Sequence, residues 1–249
     1  SVILTEIIPA LKNDVISFLK IRGGYGQTGN DAPTYYTSAY YFLGSATGGF
    51  GCLTFPLYSF SGLVKSSRVP SADLKPEIPT EAEIGIDARF FDNRLNFDRA
   101  LYNKETTNQI ISATLAPESG HTSAVRNIGK IQNRGIELSV GFVPVRTRDW
   151  VWSIGYTFSK NDNKVKELWD DVKEYAIYGL TQGPQLKARV GESLTTWVDY
   201  KLKTVEDVNS PYYGMTIVNR TTGLPTYDNT TYETLGKAEE DYTMGLNNS

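Results

Sequence analysis

The chain has 249 residues, a mean hydropathy of -0.33 and a net charge of -3 from 25 basic and 28 acidic residues. No apolar run approaches the roughly 18 residues of a helical membrane span, and the charge balance does not indicate the strongly basic surface of a nucleic-acid partner. Cys52 and His121 are each the sole residue of their type, so no internal disulfide, cysteine zinc site or histidine cluster can form, and no metal or cofactor is expected.

Residues 1–17 are ambiguous. Ile7, Ile8, Leu11 and Val15 suit one face of a short helix that Pro9 interrupts. The first clear strand is 18–27, with Leu19, Ile21, Gly23 and Tyr25 on one face and Lys20, Arg22, Gly24 and Gly26 on the other. An excursion rich in Gly, Ser and Tyr occupies 28–81. It contains Cys52, expected as an inert thiol, and the glycine-rich Gly48-Gly49-Phe50-Gly51. Strand 82–91 puts Ile84, Ile86, Ala88 and Phe90 on one face, and Asp92-Asn93-Arg94 turns the chain tightly into strand 95–104. There Leu95, Phe97 and Leu101 share a face with Arg99, which breaks the pattern. A lipid-facing arginine costs about 2–4 kcal/mol at mid-bilayer and about 0–1 near the interface. Either a bulge shifts the register or Arg99 escapes toward a boundary.

After a second excursion, 105–130, comes the most informative stretch. Ile136, Leu138, Val140 and Phe142 alternate with Glu137, Ser139 and Gly141. Past the turn 146–149, Trp150, Trp152, Ile154, Tyr156 and Phe158 alternate with Val151, Ser153, Gly155, Thr157 and Ser159. Successive strand side chains point to opposite faces, so strands 131–143 and 149–160 each have one apolar face and one small or polar face. That is the pattern of a transmembrane β-barrel hairpin. A third excursion, 161–240, precedes a sixth strand beginning near Asp241. Within it Trp197, Tyr200 and Leu202 indicate local strand.

The two short turns and three long excursions alternate along the chain. Outer-membrane barrels have short periplasmic turns and long extracellular loops. Strands 18–27, 95–104 and 150–160 therefore run outward, and 82–91, 131–143 and 241–249 run inward. About six membrane strands are fewer than the eight of the smallest barrels. The expected fold is thus an all-β, antiparallel transmembrane β-barrel segment of a larger barrel, with residues 1–249 forming part of a longer protein.

A set of short motifs sharpens this. They are Leu19-Lys20-Ile21-Arg22-Gly23-Gly24-Tyr25-Gly26-Gln27-Thr28-Gly29-Asn30, Leu74-Lys75-Pro76-Glu77, Phe91-Asp92-Asn93-Arg94-Leu95, Tyr102-Asn103-Lys104-Glu105-Thr106-Thr107-Asn108-Gln109-Ile110, Asn127-Ile128-Gly129, Asn133-Arg134-Gly135-Ile136-Glu137-Leu138, Phe158-Ser159-Lys160-Asn161 and Gly191-Glu192. In this order the chain resembles the SusC/RagA family of TonB-dependent outer-membrane transporters of Bacteroidetes-type bacteria. Arg134, where lysine is common, and Arg99-Ala100-Leu101 depart from the family pattern. The resemblance implies a 22-stranded barrel with a plugged lumen, whose plug and C-terminal strands lie outside these residues. It also implies residence in the bacterial outer membrane in contact with its lipid, a SusD-like surface lipoprotein as partner, TonB as the energy source and an oligosaccharide or peptide cargo. No enzymatic reaction is implied.

Among single residues, Trp150 and Trp152 at the base of an outward strand fit interfacial anchors. Tyr35, Tyr36, Tyr40, Tyr41, Trp169, Trp197, Tyr212 and Tyr213 lie in the excursions and are candidate substrate contacts, with loop packing as the plainer reading. The carboxylates Asp162, Glu167, Asp170, Asp171 and Glu174 lack calcium-loop spacing and fit a solvated surface. His121 fits an exposed loop position. The alternative function is a soluble extracellular all-β carbohydrate-binding module, in which a second sheet would cover the apolar face.

Overall fold

The computed structural model describes residues 1–43, 59–115, 117–127, 129–168, 173–179 and 183–249. Gly48-Gly49-Phe50-Gly51, Cys52, Trp169, Asp170 and Asp171 lie outside the described residues. The strands, in chain order, are β1 (Val2–Ile3), β2 (Ile16–Gln27), β3 (Tyr41–Leu43), β4 (Leu63–Lys65), β5 (Arg68–Val69), β6 (Ile78–Phe90), β7 (Leu95–Thr107), β8 (Ile110–Thr114), β9 (Ser123–Asn127), β10 (Gly129–Arg146), β11 (Val151–Leu168), β12 (Glu174–Gly179), β13 (Gln185–Arg189), β14 (Thr196–Leu202), β15 (Tyr227–Lys237) and β16 (Thr243–Asn248). A four-residue helix, α1 (Leu4–Ile7), and a 3-10 turn at Pro9–Leu11 stand where the short amphipathic helix was expected. Pro9 ends α1 before a second turn forms, and Ile7, Ile8 and Val15 stay exposed rather than sharing a buried face.

Seven strands make one sheet in the order β1-β2-β6-β7-β10-β11-β16. From β2 onward the neighbours are the six membrane strands in chain order, each paired antiparallel with the next. Tight turns join them at one end. Phe91, Asp92 and Asn93 take φ values of 53°, 51° and 63°, which Asp and Asn tolerate because their short side chains bond locally. The other end carries three small sheets: β3-β4, β5-β9-β8 and β12-β13-β14-β15.

The strands run further outward than hydrophobic alternation indicates. Residues 78–81, 105–107, 129–130 and 161–168 are strand rather than excursion. β10 and β11 have 18 residues each, against the roughly 9–11 that cross a bilayer. Their outer ends pair through polar side chains, so the apolar signal stops while the ladder continues.

The apolar face stays open among the described residues. Ile136, Leu138 and Ile154 are only half-buried, and Tyr25, Ile84, Met244 and Leu246 are 80%, 57%, 62% and 76% exposed. Among the described residues no second sheet covers this face, as the sandwich alternative would require. Apart from Ala88 and Ala100, the buried apolar residues Ala124, Val125, Ile131, Val165, Ala188 and Val198 lie on the loop strands or on the strand ends that meet them.

The register also reveals strand tilt. On the apolar face the first polar residue above the band is Lys160 on β11, level with Ile136. On β10 and β7 it is Arg134 and Asn103, one row further out. On β6 and β2 it is Thr80 and Gln27, another row out. Two rows are about 14 Å of strand, climbed across four spacings of about 4.8 Å, giving a tilt of about 35°. This agrees with the roughly 35–45° of membrane barrels. From Trp150 to Phe158 the band measures about 27 Å along the strand, or about 22 Å in height at that tilt, near the roughly 25 Å of a barrel's lipid belt.

Candidate functional site

The opposite face of the sheet is polar and built by long side chains reaching across glycines. Arg22 on β2 lies level with Gly85 on β6 and Ala100 on β7. Its Nη1 and Nη2 donate to Asp98 Oδ2 and Oδ1 at 2.6 and 2.9 Å, and its Nε donates to Glu83 at 3.3 Å. A Cβ on Gly85 would lie 2.6 Å from Arg22 Nε, so the glycine is what lets the guanidinium span two strands. The device recurs with Tyr102, which crosses Gly135 and donates to Asn161 Oδ1 at 3.1 Å. Asn161 and Asn163 in turn donate to Asn133 Oδ1. Asp98, Glu137, Ser139, Thr157, Ser159 and Thr243 line a shallow groove on this face. In a barrel such a face is turned to the lumen.

At the outer ends of the strands a second polar assembly ties the excursions down. Asn30 and Glu77 exchange backbone hydrogen bonds, and Asn30 Nδ2 donates to Glu77 Oε2 at 2.9 Å. Glu77 Oε1 accepts from Gln109 Nε2 at 2.6 Å and from the Ile110 amide at 2.8 Å. Asn127 accepts from the Lys75 amide and donates to the carbonyls of Lys75 and Asn108. Motif residues far apart in the chain thus form one knot. A similar clasp holds the third excursion. Asn163 Oδ1 accepts from the Leu194 amide at 2.8 Å, and Val165 exchanges backbone hydrogen bonds with Gly191 and Glu192.

Beyond the knot lie the aromatic candidates. Tyr35 and Tyr40 are brought together, ring centroids 5.0 Å apart, with Phe42 6.3 Å beyond. Tyr36 turns away and lies under the Arg68 guanidinium at 4.5 Å, and Tyr41 is 63% exposed in β3. Trp197 is half-buried in β14, while Tyr212 and Tyr213 are exposed in a turn. No ring contact joins these three among the described residues. Trp169 lies outside the described residues. At the opposite end, Trp150 is exposed beside the β10–β11 turn, and Trp152 donates its Nε1–H to Asn248 Oδ1 at 2.6 Å.

Sequence reasoning missed a charged and aromatic cluster in the sheet of the third excursion. Lys187 is nearly buried, donates to Glu174 Oε1 at 2.8 Å and stands 3.5 Å from the centre of the Tyr232 ring. Tyr232 stacks on Tyr200 at 4.5 Å, and Arg189 donates to Glu174 Oε2 at 2.9 Å. Burial by itself would raise the Glu174 carboxyl, but Lys187 and Arg189 outweigh it and hold the group below its ordinary value. The Tyr200 hydroxyl and then burial push Tyr232 up to about 12. The alternating threonines around Tyr232, Thr230 and Thr234, were the available signal for β15. The described carboxylates of the acidic stretch are each beside cations: Asp162 with Arg134, Glu167 with Lys130, Glu174 with Lys187 and Arg189. His121 is half-buried rather than exposed, because its backbone N–H and C=O both bond the Ser119 hydroxyl and fold the turn inward.

Residues 12–244 match the family described as TonB dependent receptor-like, beta-barrel. Over 190 residues the chain is 30% identical to TonB-dependent receptor P39 of Formosa agariphila, covering 75% of this chain and 16% of that protein. It is 26% identical over 246 residues to TonB-dependent receptor SusC of Bacteroides thetaiotaomicron, covering 94% of this chain and 23% of SusC. The structure of the RagAB peptide transporter superposes with a TM-score of 0.72 at 19% identity, covering 98% of this chain and 26% of that one. The chain therefore spans only about a fifth of the length of the curated relatives it matches.

Proposed function

The chain belongs to the TonB-dependent receptor-like β-barrel family of the bacterial outer membrane, and from that premise we propose that it forms part of the wall of an importer for an oligosaccharide or a peptide. The observation that carries this is the two-faced sheet. One continuous set of tilted strands has an uncovered apolar side, a charged and amide-lined side, and its large excursions at one end. A wall of this kind separates lipid from an aqueous path and presents loops at the entrance. Residues 1–249 would lie within the barrel domain, with the plug and the remaining strands supplied by the rest of the protein.

In this reading TonB acts on the plug, a SusD-like lipoprotein closes the outer end, and the polar side guides cargo without reacting with it. The exposed Tyr35, Tyr41, Tyr212 and Tyr213 are the most available cargo or lid contacts, whereas Tyr36, Tyr40 and Trp197 are partly occupied by packing. Trp150 and Trp152 anchor the inner edge of the lipid belt.

The test is uptake in cells lacking the intact protein, supplied with labelled oligosaccharides or labelled peptides. Loss of uptake of one class, restored by the wild-type gene and abolished by collapse of the proton gradient, is the expected result. Unchanged uptake of both, or partition of the intact protein into the aqueous phase without detergent, would refute the reading.

A further inference from the structure

Arg99 occupies an odd position. It pairs with Ile86 on one side and Leu138 on the other, and the ladders from β7 to β6 and to β10 both run without a bulge from Leu95 to Thr107. The register therefore cannot rotate it to the polar face. Phe97 lies below it and Leu101 above it on the same face, and the side chain is exposed. Among the described residues no carboxylate or other polar group partners it.

We propose that Arg99 binds the phosphate of an outer-leaflet lipid against the apolar wall. This rests on the outer-membrane placement argued above. Leu101 is the one apolar residue between Arg99 and the polar Asn103 on this face, so a guanidinium stretched outward reaches headgroup level. The hydrocarbon of the same lipid would lie over Ile86, Phe97 and Leu138. An arginine matches a phosphate in both charge and fork geometry, and the pair gains strength where water is scarce. Lys160 adds a second cation. It is exposed, makes no ion pair among the described residues, and lies two strands away and one row further out. Another cation of the outward edge, Arg134, is already engaged by Asp162. A lipid phosphate thus explains why Arg99 and Lys160 have no ion-pair partner among the described residues while Arg134 has one.

The test uses the intact protein in phosphatidylcholine vesicles, with or without phosphatidic acid as the phosphate-monoester probe. Wild type should unfold at a higher temperature when phosphatidic acid is present. Arg99→Gln should lose more than half of that rise, Arg99→Lys less, and Lys160→Gln a smaller part. A photo-crosslinker at position 99 should label lipid in whole cells. An equal rise in Arg99→Gln and wild type overturns the inference, as does crosslinking of position 99 mainly to a protein, which would make the occupant another chain's carboxylate. Failure to insert into either vesicle sinks the membrane reading itself, so the two failures are distinguishable.

Discussion

The wall hairpin β10–β11 and the loop sheet β12–β15 are both antiparallel and adjacent in sequence, yet they are held by different means. The hairpin has long ladders, an uncovered apolar side and almost no core. The loop sheet has short, bulged ladders but closes on the fully buried Val198 and Ala188 and on the Lys187–Glu174–Arg189–Tyr232 cluster. The difference follows from solvent. In lipid, unmade backbone hydrogen bonds are the main penalty and apolar side chains need no cover. In water the reverse holds, and the loop sheet accordingly buries Val198 and Ala188 and pairs the Glu174 carboxylate with Lys187 and Arg189.

Changes at the outer end of the hairpin should have the largest effect. Gly129 has a φ of 130°, and a Cβ there would collide with the Glu167 carbonyl. Gly129→Val is expected to cost about 2–4 kcal/mol, read as loss of the folded, heat-modifiable band on unboiled gels. Next comes the loop sheet. Lys187→Met leaves Glu174 with Arg189 alone and removes the cation from Tyr232. The expected cost is about 1–3 kcal/mol, seen as faster amide exchange across 174–179 and 227–237 with the wall unchanged. If the wall loosens equally, the two regions are not separate cooperative units. Trp152→Ala loses the bond to Asn248 and the ring proposed as an interfacial anchor. About 1 kcal/mol should be lost in unfolding from vesicles, more than for Trp150→Ala, whose ring makes no described polar contact.

The smallest effect is that of pH. Glu174 has a folded-state pKa below its ordinary 4.5. Its stabilisation is therefore complete above that ordinary value and is lost as the pH falls through the lowered one. Protease protection of the loop sheet should weaken in that acidic range and be unaffected between neutral and mildly acidic pH. Protection that instead falls near neutrality would point to a different group.

The wall was legible because period-two alternation and two short turns are local signals. Leu138 and Ile154 could be assigned to a face without knowing their partners. The outer halves of the strands were not legible, since Asn161, Asp162 and Asn163 read as loop until their partners Gly135, Arg134 and Asn133 across the ladder are known. The loop sheets were hidden for a related reason. Arg68 and Val69 pair in parallel with Ser123 and Ala124, a contact between two excursions that no local pattern announces. The tyrosines were equivalent as letters but not as places, because Arg68 captures Tyr36 and leaves Tyr41 open. Arg99 is the converse case: its face was read correctly, and its register proved regular.

The knot formed by Asn30, Glu77, Gln109 and Asn127 acts like a hem on cloth. Everything below it keeps its thread count, and everything above it can be recut. Replacing the fabric beyond that seam, whether by lengthening one excursion or grafting another, should leave the strands beneath it sewn and, on the importer reading proposed above, should change which cargo is greeted.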